Sequence, residues 1–318
     1  MASGRNPCAA HACSGAAEEL DPESSAPTVG PPTVHASPGY QLTQSAPSHP
    51  AGGRRPRTDE DRSVDLLIDD AGGVRRLTLN RPHVRNALSV SLQEQLVAAL
   101  LSADADPAVS VVVVTGQGEQ AFCSGVDVKE LDRLGDTGWR GPYAQPHRSV
   151  WQALVELSKP TIASVNGHAV GGGFELLLAC DLTIAVRGIS VGLPEARLGL
   201  AASFASAQLP RRVPHGIAAE LLFTGALRPV DDLVQWGLVQ RVVPREELAA
   251  TTLDLADTIA RNAPLSLRRM KATMTKGMAL PLMSAVTLGA GPDPYTSQDR
   301  LEGVRAFAER RPPHWSGQ

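Results

Sequence analysis

Three short apolar runs, at residues 111–114, 161–165 and 182–186, constrain this chain more than any other feature, since a helical pattern at 171–180 separates the last two. Each run is too short for a helix and rich in Val, Ile or Thr, the residues that suit a buried strand. Strands alternating with helices call for an α/β layer architecture with a mostly parallel sheet. Upstream, residues 64–68 and 74–79 read as a hairpin around Asp69-Asp70-Ala71-Gly72-Gly73. Ser89 offers an N-cap to a helix whose Leu92, Leu96, Ala99 and Leu100 share one face, and Asp106-Pro107 stops it. Beyond Ser203 the pattern turns helical, notably at 246–260 and 265–278, and no internal repeat is present. The expected organisation is an α/β core at 63–202 followed by a helical part at 203–318.

A composition break near residue 62 sets this domain apart from residues 1–62, which are Ala, Ser, Pro and Gly with scattered charge and few large apolar side chains. Such a segment cannot bury enough surface to offset the entropy of ordering it, so a disordered extension is expected. The remaining length, about 250 residues, is ample for one core. A formal charge of −3 and a pI near 6.2 give no basic field, which argues against nucleic acid and anionic lipid as partners. Any anionic ligand must be gripped locally. Four cysteines in 318 residues do not form a disulfide framework, so a reducing, cytoplasmic setting is expected. No apolar run is long enough to span a membrane, residues 1–20 lack a secretory pattern, and Glu18, Glu19, Asp21 and Glu23 do not suit a mitochondrial presequence. No metal is expected: His11, His35 and His49 lie in the extension, and the later histidines show no ligand spacing.

Chemistry concentrates where glycines follow strands. One element runs from Ala121 through Gly125 and Val126 to Glu130, after the strand that starts at 111; another runs from Asn166 through Gly171-Gly172-Gly173 to Glu175. In parallel α/β sheets ligands gather at the carboxyl ends of strands, where both elements fall. Glycine lets the backbone approach a ligand with its N–H groups exposed, and a helix opening at Gly172 adds the positive end of its dipole. Two such donors converging on one oxygen make an oxyanion hole. Glu175 lies in an otherwise apolar helix beside Phe174, Leu176, Leu177 and Leu178, and Glu195 follows Leu193-Pro194. A carboxylate buried among apolar groups is held at raised pKa or finds donors, and a pair of them suits general acid/base work. Cys123 and Cys180 read as small buried residues.

The opening NRPHVRNALS, the loop FCSGVDVKEL, the helix start GHAVGGGFELLLACD and the later LPEARLGL resemble, in order and spacing, the successive signatures of the enoyl-CoA hydratase/isomerase (crotonase) family. The resemblance continues through Gly237-Leu238-Val239, Asn262-Ala263-Pro264-Leu265 and Glu302-Gly303-Val304-Arg305-Ala306-Phe307. It implies a crotonase-like spiral of ββα units with a C-terminal helical subregion. It further implies an oxyanion hole from the backbone N–H groups of Val126 and Gly172, with Glu175 as base on water and Glu195 as donor to the α-carbon. The segment Val126, Asp127, Val128, Lys129 matches the family's coenzyme A loop, with Lys129 a phosphate partner and Arg85 and Lys271 candidates for the nucleotide end. The implied protein is an enoyl-CoA hydratase of lipid metabolism working on an acyl-CoA substrate, with no cofactor beyond the coenzyme A that the substrate carries, assembled as a trimer or dimer of trimers. Leu253, Ala256, Ala260, Leu265, Leu267 and Met270 supply apolar surface for that assembly.

A double-bond isomerase using one acid is the alternative within the family, and a non-catalytic acyl-CoA-binding or scaffold protein the alternative outside it. Two departures bear on the choice. Gly199-Leu200-Ala201-Ala202-Ser203-Phe204-Ala205 replaces the usual Pro-Gly and Gly-Gly-Thr run after the second acid, and Gly289-Ala290-Gly291-Pro292 breaks a region that is usually helical. Residues 135–145, with Trp139 and Tyr143, are expected to line the acyl pocket.

Overall fold

A computed structural model describes residues 64–134 and 148–318. The expected extension at 1–62 and the acyl-pocket stretch at 135–145 lie outside the described residues. The chain opens with a hairpin of β1 (Leu66–Ala71) and β2 (Val74–Leu79), then α1 (Val90–Ala105), whose N-cap Ser89 accepts the Leu92 N–H. There follow β3 (Val111–Gly116), β4 (Ala121–Cys123), α2 (Val128–Leu134), α3 (Val150–Glu156), β5 (Thr161–Val165), β6 (His168–Val170), α4 (Gly172–Ala179), β7 (Leu182–Val186) and β8 (Ser190–Gly192).

Each long strand is followed at once by a short one, and the two enter different sheets. β3, β5 and β7 run parallel within a six-stranded sheet of order β1-β2-β3-β5-β7-β10, while β4, β6 and β8 run parallel in a four-stranded sheet closed by β9. The chain therefore advances as the expected spiral of ββα units. Of the three-residue strands of the smaller sheet, β8 falls on the β-like segment at residues 189–192, whereas β4 and β6 have too few residues to show alternation.

The valine run of β3 explains itself in this setting. Val112 and Val114 enter the main core with Leu77, Leu79, Phe122 and Phe174, whereas Val111 and Val113 pack with Val74, Ile162 and Ala256 on the opposite face. A parallel strand covered on both faces has no polar side to alternate. In the hairpin the strand extends further than expected, through Asp69 and Asp70, because these residues stand opposite Arg76 and Arg75 and bond them at 2.8 and 2.6 Å. The turn shrinks to Gly72-Gly73, both at positive φ.

The remaining elements are α5 (Ser203–Gln208), α6 (His215–Thr224), β9 (Arg228–Pro229), α7 (Val230–Gln235), β10 (Arg241–Val243), α8 (Leu248–Ala260), α9 (Pro264–Gly277), α10 (Leu282–Val286) and α11 (Gln298–Glu309). This helical part returns two short strands to the sheets, β9 beside β8 and β10 beside β7. Ala256 of α8 is fully buried on the main sheet, but Leu253 and Met270 stay exposed, as do Met274, Leu282, Met283 and Phe307, the last 87% accessible. Gly289 and Gly291, both at positive φ, fall between α10 and α11 and interrupt the helical layer as expected. The last residues fold back over α11: buried Asp299 accepts the N–H groups of Ser316 and Gly317, and the Trp315 indole N–H donates to the Arg261 carbonyl at 2.7 Å. Among the described residues no helix is long and apolar enough to cross a membrane.

Candidate active site

The glycine elements leave the carboxyl ends of β4 and β6 and meet. Leu88 bridges the first in parallel fashion, its N–H donating to the Gly125 carbonyl at 2.8 Å and its carbonyl accepting from Asp127 N–H at 3.1 Å. Such a bridge uses the residues on either side and turns the N–H of Val126 away from Leu88. In the second element Gly171 holds φ 57°, ψ −128°, a region open in practice only to glycine, and its N–H donates to the Gly192 carbonyl at 2.8 Å. Gly172 then begins α4, so its N–H has no acceptor one turn back. Among the described residues neither the Val126 nor the Gly172 amide donates to a carbonyl.

These two amides belong to backbones in contact. A Cβ on Gly125 would stand 3.0 Å from the Val170 oxygen and 3.2 Å from the Gly172 nitrogen. Trp151, fully buried on α3, holds the second backbone in place by donating its indole N–H to the Gly172 carbonyl at 3.2 Å. The arrangement has the makings of an oxyanion hole, two neighbouring donors with nothing yet to donate to.

Both acids stand beside it. Glu175 is only 4% exposed, one helical position past Phe174, with Leu176 to Leu178 packed into the core around it. Its Oε1 accepts the Ala205 N–H at 2.9 Å. Burial pushes its pKa up to about 7, with the charge of Glu195 adding to the rise and the amides of Ala205 and Phe204 opposing it. Glu195 sits in a 3-10 turn, Pro194–Leu198, and is half-buried; burial raises its pKa too. A Cβ on Gly171 would lie 2.8 Å from Glu195 Oε1, so the glycine is required for the acid to reach the loop. Glu195 Oε2 is enclosed and has no hydrogen-bond partner among the described residues.

The altered segment after Glu195 acts on the other acid. Residues 203–208 form α5, and the amides of its first turn, at Phe204 and Ala205, are the ones that hold Glu175. The glycines normally expected there are not needed for this contact, because backbone N–H groups do the binding.

The coenzyme-loop residues divide. Val128 and Lys129 are exposed on α2, and Arg85 is exposed at φ 55° with its carbonyl accepting the Ser124 N–H, so all three border the first glycine element. Asp127 is buried, paired with Arg81 at 3.2 Å, and its carboxylate meets the Glu130 N–H at 3.3 Å at the start of α2. Lys271 is not brought to the site. Only 8% exposed, its ammonium donates to Asp181 Oδ2 at 2.7 Å and the Lys159 carbonyl at 2.8 Å. Thr161 and Asp181 stand at the starts of β5 and β7, the opposite end of the sheet from Gly172.

Several positioning residues went unread in the sequence. The amide of buried Asn86, at φ 56°, accepts from Arg81 N–H and donates to the carbonyls of Gln117 and Ala121. That of Asn166 accepts from Gly116 N–H at 2.9 Å and donates to Gly118 O at 2.7 Å. Their signal was an Asn beside Arg85 and another before Gly167, residues able to take left-handed backbone or bond a nearby loop. Cys123 Sγ lies against the Gly125 N–H, and burial pushes its thiol up to about 12, leaving it inert. Among the described residues no His, Cys, Asp and Glu group has metal-binding geometry.

Comparison with known proteins identifies a family and a shared fold. The family model described as enoyl-CoA hydratase/isomerase matches residues 69–318. The chain is 35% identical over 269 residues to carnitinyl-CoA dehydratase of Proteus mirabilis, covering 80% of this chain and 99% of that protein. It is 36% identical over 265 residues to (E)-benzylidenesuccinyl-CoA hydratase of Thauera aromatica, covering 80% and 100%. The crystal structure of enoyl-CoA hydratase from Bacillus anthracis superposes with a TM-score of 0.74 at 32% identity, over 80% of this chain and all of that one.

Proposed function

The chain belongs to the enoyl-CoA hydratase/isomerase family, and on that premise we propose that it is a hydro-lyase acting between a 2-enoyl-CoA and the corresponding 3-hydroxyacyl-CoA. The observation that carries the reading is the pair of carboxylates, buried Glu175 and half-buried Glu195, beside two unused amides, with neither acid in an ion pair among the described residues.

In this reading the thioester oxygen accepts from the Val126 and Gly172 N–H groups. Glu175, its pKa lifted to about 7 by burial, removes a proton from water as the water oxygen bonds to the β-carbon. Electrons of the double bond move onto the thioester, whose enolate oxygen the two amides stabilise; such a donor is worth roughly 3–4 kcal/mol. Glu195 delivers a proton to the α-carbon as the carbonyl re-forms, and solvent restores both acids. Lys129 and Arg85, exposed beside the first glycine element, suit the coenzyme phosphates. Coenzyme A arrives on the substrate, and no metal or separate cofactor is needed. A place in fatty acid metabolism and a cytoplasmic setting are consistent with this substrate class.

The exposed apolar side chains of α9, α10 and α11 support assembly as a trimer or dimer of trimers. Sedimentation at micromolar concentration checks this, and an active monomer excludes it. For the reaction itself, purified protein given crotonyl-CoA should consume the enoyl absorbance with formation of 3-hydroxybutyryl-CoA. A shift of the double bond without uptake of water identifies an isomerase instead, and no turnover on any enoyl-CoA leaves a binding protein.

A further inference from the structure

The far end of the main sheet holds a cavity that the proposed reaction does not use. It lies before β3 and β5, whose other ends lead into the glycine elements, and encloses about 440 Å3 between the end of α1, the start of α9 and the returning C-terminal residues. A volume of several hundred Å3 falls in the range of small-molecule sites, and the wall here is more polar than apolar, with Lys159 and Arg268 among its charged groups.

Its charges are unbalanced. Lys159 is 5% exposed and donates to two carbonyls, those of Ala103 and Asp106, which take two of its three protons. Arg268, on α9, has an enclosed Nε with no partner and forms no ion pair among the described residues. Burial depresses the Lys159 pKa; the nearby Asp104 and Asp106 carboxylates oppose that shift and the Arg268 guanidinium adds to it, so the two cations are close neighbours. Asp104 is the one carboxylate among the described lining residues, and its Oδ1 already accepts from the Ser158 N–H and hydroxyl. An enclosed guanidinium donor without an acceptor costs stability, so a group that supplies one binds favourably. The start of α9 opens on the same space and adds the positive end of a fourteen-residue helix.

We propose that this cavity binds a small organic anion, its carboxylate or phosphate held by Arg268 and Lys159 and its short apolar body packed against Leu265 and Trp315. The ligand joins α9 to the base of the sheet and to the C-terminal residues 313–317 that wall the cavity. Occupation therefore stabilises the folded chain without contact with Glu175 or Glu195.

Calorimetric titration of the full chain, saturated with coenzyme A to occupy the candidate active site, tests this with three probes. Hexanoate carries headgroup and body, inorganic phosphate the headgroup alone, and hexanol the body alone. Hexanoate is expected to bind saturably and phosphate more weakly, with no saturable heat from hexanol. Arg268→Gln should weaken hexanoate about tenfold or more, as loss of a charge-assisted contact does. Arg268→Lys, which keeps the charge and removes the Nε donor, should fall between. No saturable binding of either anion to the wild-type chain overturns the proposal whatever the variants do. So does hexanoate affinity that coenzyme A abolishes or that Arg268→Gln leaves unchanged. Phosphate binding as tightly as hexanoate overturns the apolar half and leaves the anion site.

Discussion

The two ends of α4 carry acids six residues apart in opposite circumstances. Glu175, in the first turn, is buried with two backbone amides for company and no ion pair among the described residues, and its pKa rises to about 7. Asp181, just past the last turn, is open to solvent on one side and accepts from the Lys271 ammonium, the Thr161 N–H and the Thr161 hydroxyl. One carboxylate is held where it costs stability, the other where every donor nearby supports it. The contrast separates chemistry from architecture: an acid kept buried without countercharge is available to exchange a proton, and an acid wrapped in donors is a tie between elements.

Four experiments press on that contrast, beginning with turnover. Glu175→Gln and Glu195→Gln should each lower kcat by roughly two to four orders of magnitude while acyl-CoA binding persists. If Glu175→Gln keeps most of its activity, the reaction needs one acid and the isomerase reading replaces the hydratase one.

Stability should move the other way at the same residue. The folded pKa of Glu175 lies above its ordinary value of 4.5, so protonation favours the fold; stability is full below about pH 4.5 and is lost as the pH rises through about 7, by roughly 3 kcal/mol in the limit. Glutamine at 175 still accepts from Ala205 but cannot ionise. Denaturant unfolding at pH 5 and pH 8 should therefore show a smaller loss in Glu175→Gln than in the wild type, and equal slopes would mean that the carboxylate is not strained.

At the other end of α4, Lys271→Met should destabilise by about 1–2 kcal/mol, a figure reduced because Asp181 is partly solvated. The same variant should leave KM for crotonyl-CoA within about twofold of the wild type, since the ammonium lies away from the glycine elements. A large rise in KM with unchanged stability would return Lys271 to the coenzyme site.

The smallest effect is expected at the surface. Lys129→Ala should raise KM about two- to fivefold at low salt, and the difference should fade as ionic strength rises, because an exposed cation is screened. Salt-independent loss of kcat would place Lys129 in the chemistry rather than in binding.

Much of the site was legible in the chain because its logic is local. Glycines at 125 and 171–173, an acid inside an apolar helix and a second acid after Leu193-Pro194 all lie within short segments, and strand and helix patterns put each segment at a strand's carboxyl end. Partners contributed from far along the chain were not legible. Asn86 and Asn166 pin the loops through carbonyls up to about fifty residues away, and side-chain amides carry no sequence period that announces a distant acceptor. Lys271 looked like any other helical lysine, exposed and available, until the fold buried it against Asp181.

By itself, then, the sequence determined the α/β layering, the two glycine elements and the two candidate acids, because hydrophobic period, glycine conformational freedom and residue chemistry act over a few residues, while the spiral of ββα units came from the family resemblance. Tertiary structure alone decided which groups face one another. It set α5 so that its first amides hold Glu175, left Glu195 Oε2 enclosed without a partner, and assigned Lys271 to the base of the sheet. Burial and charge pairing are properties of neighbours in space, and it is these that raise one carboxylate toward neutral pH and leave another to tie two elements together.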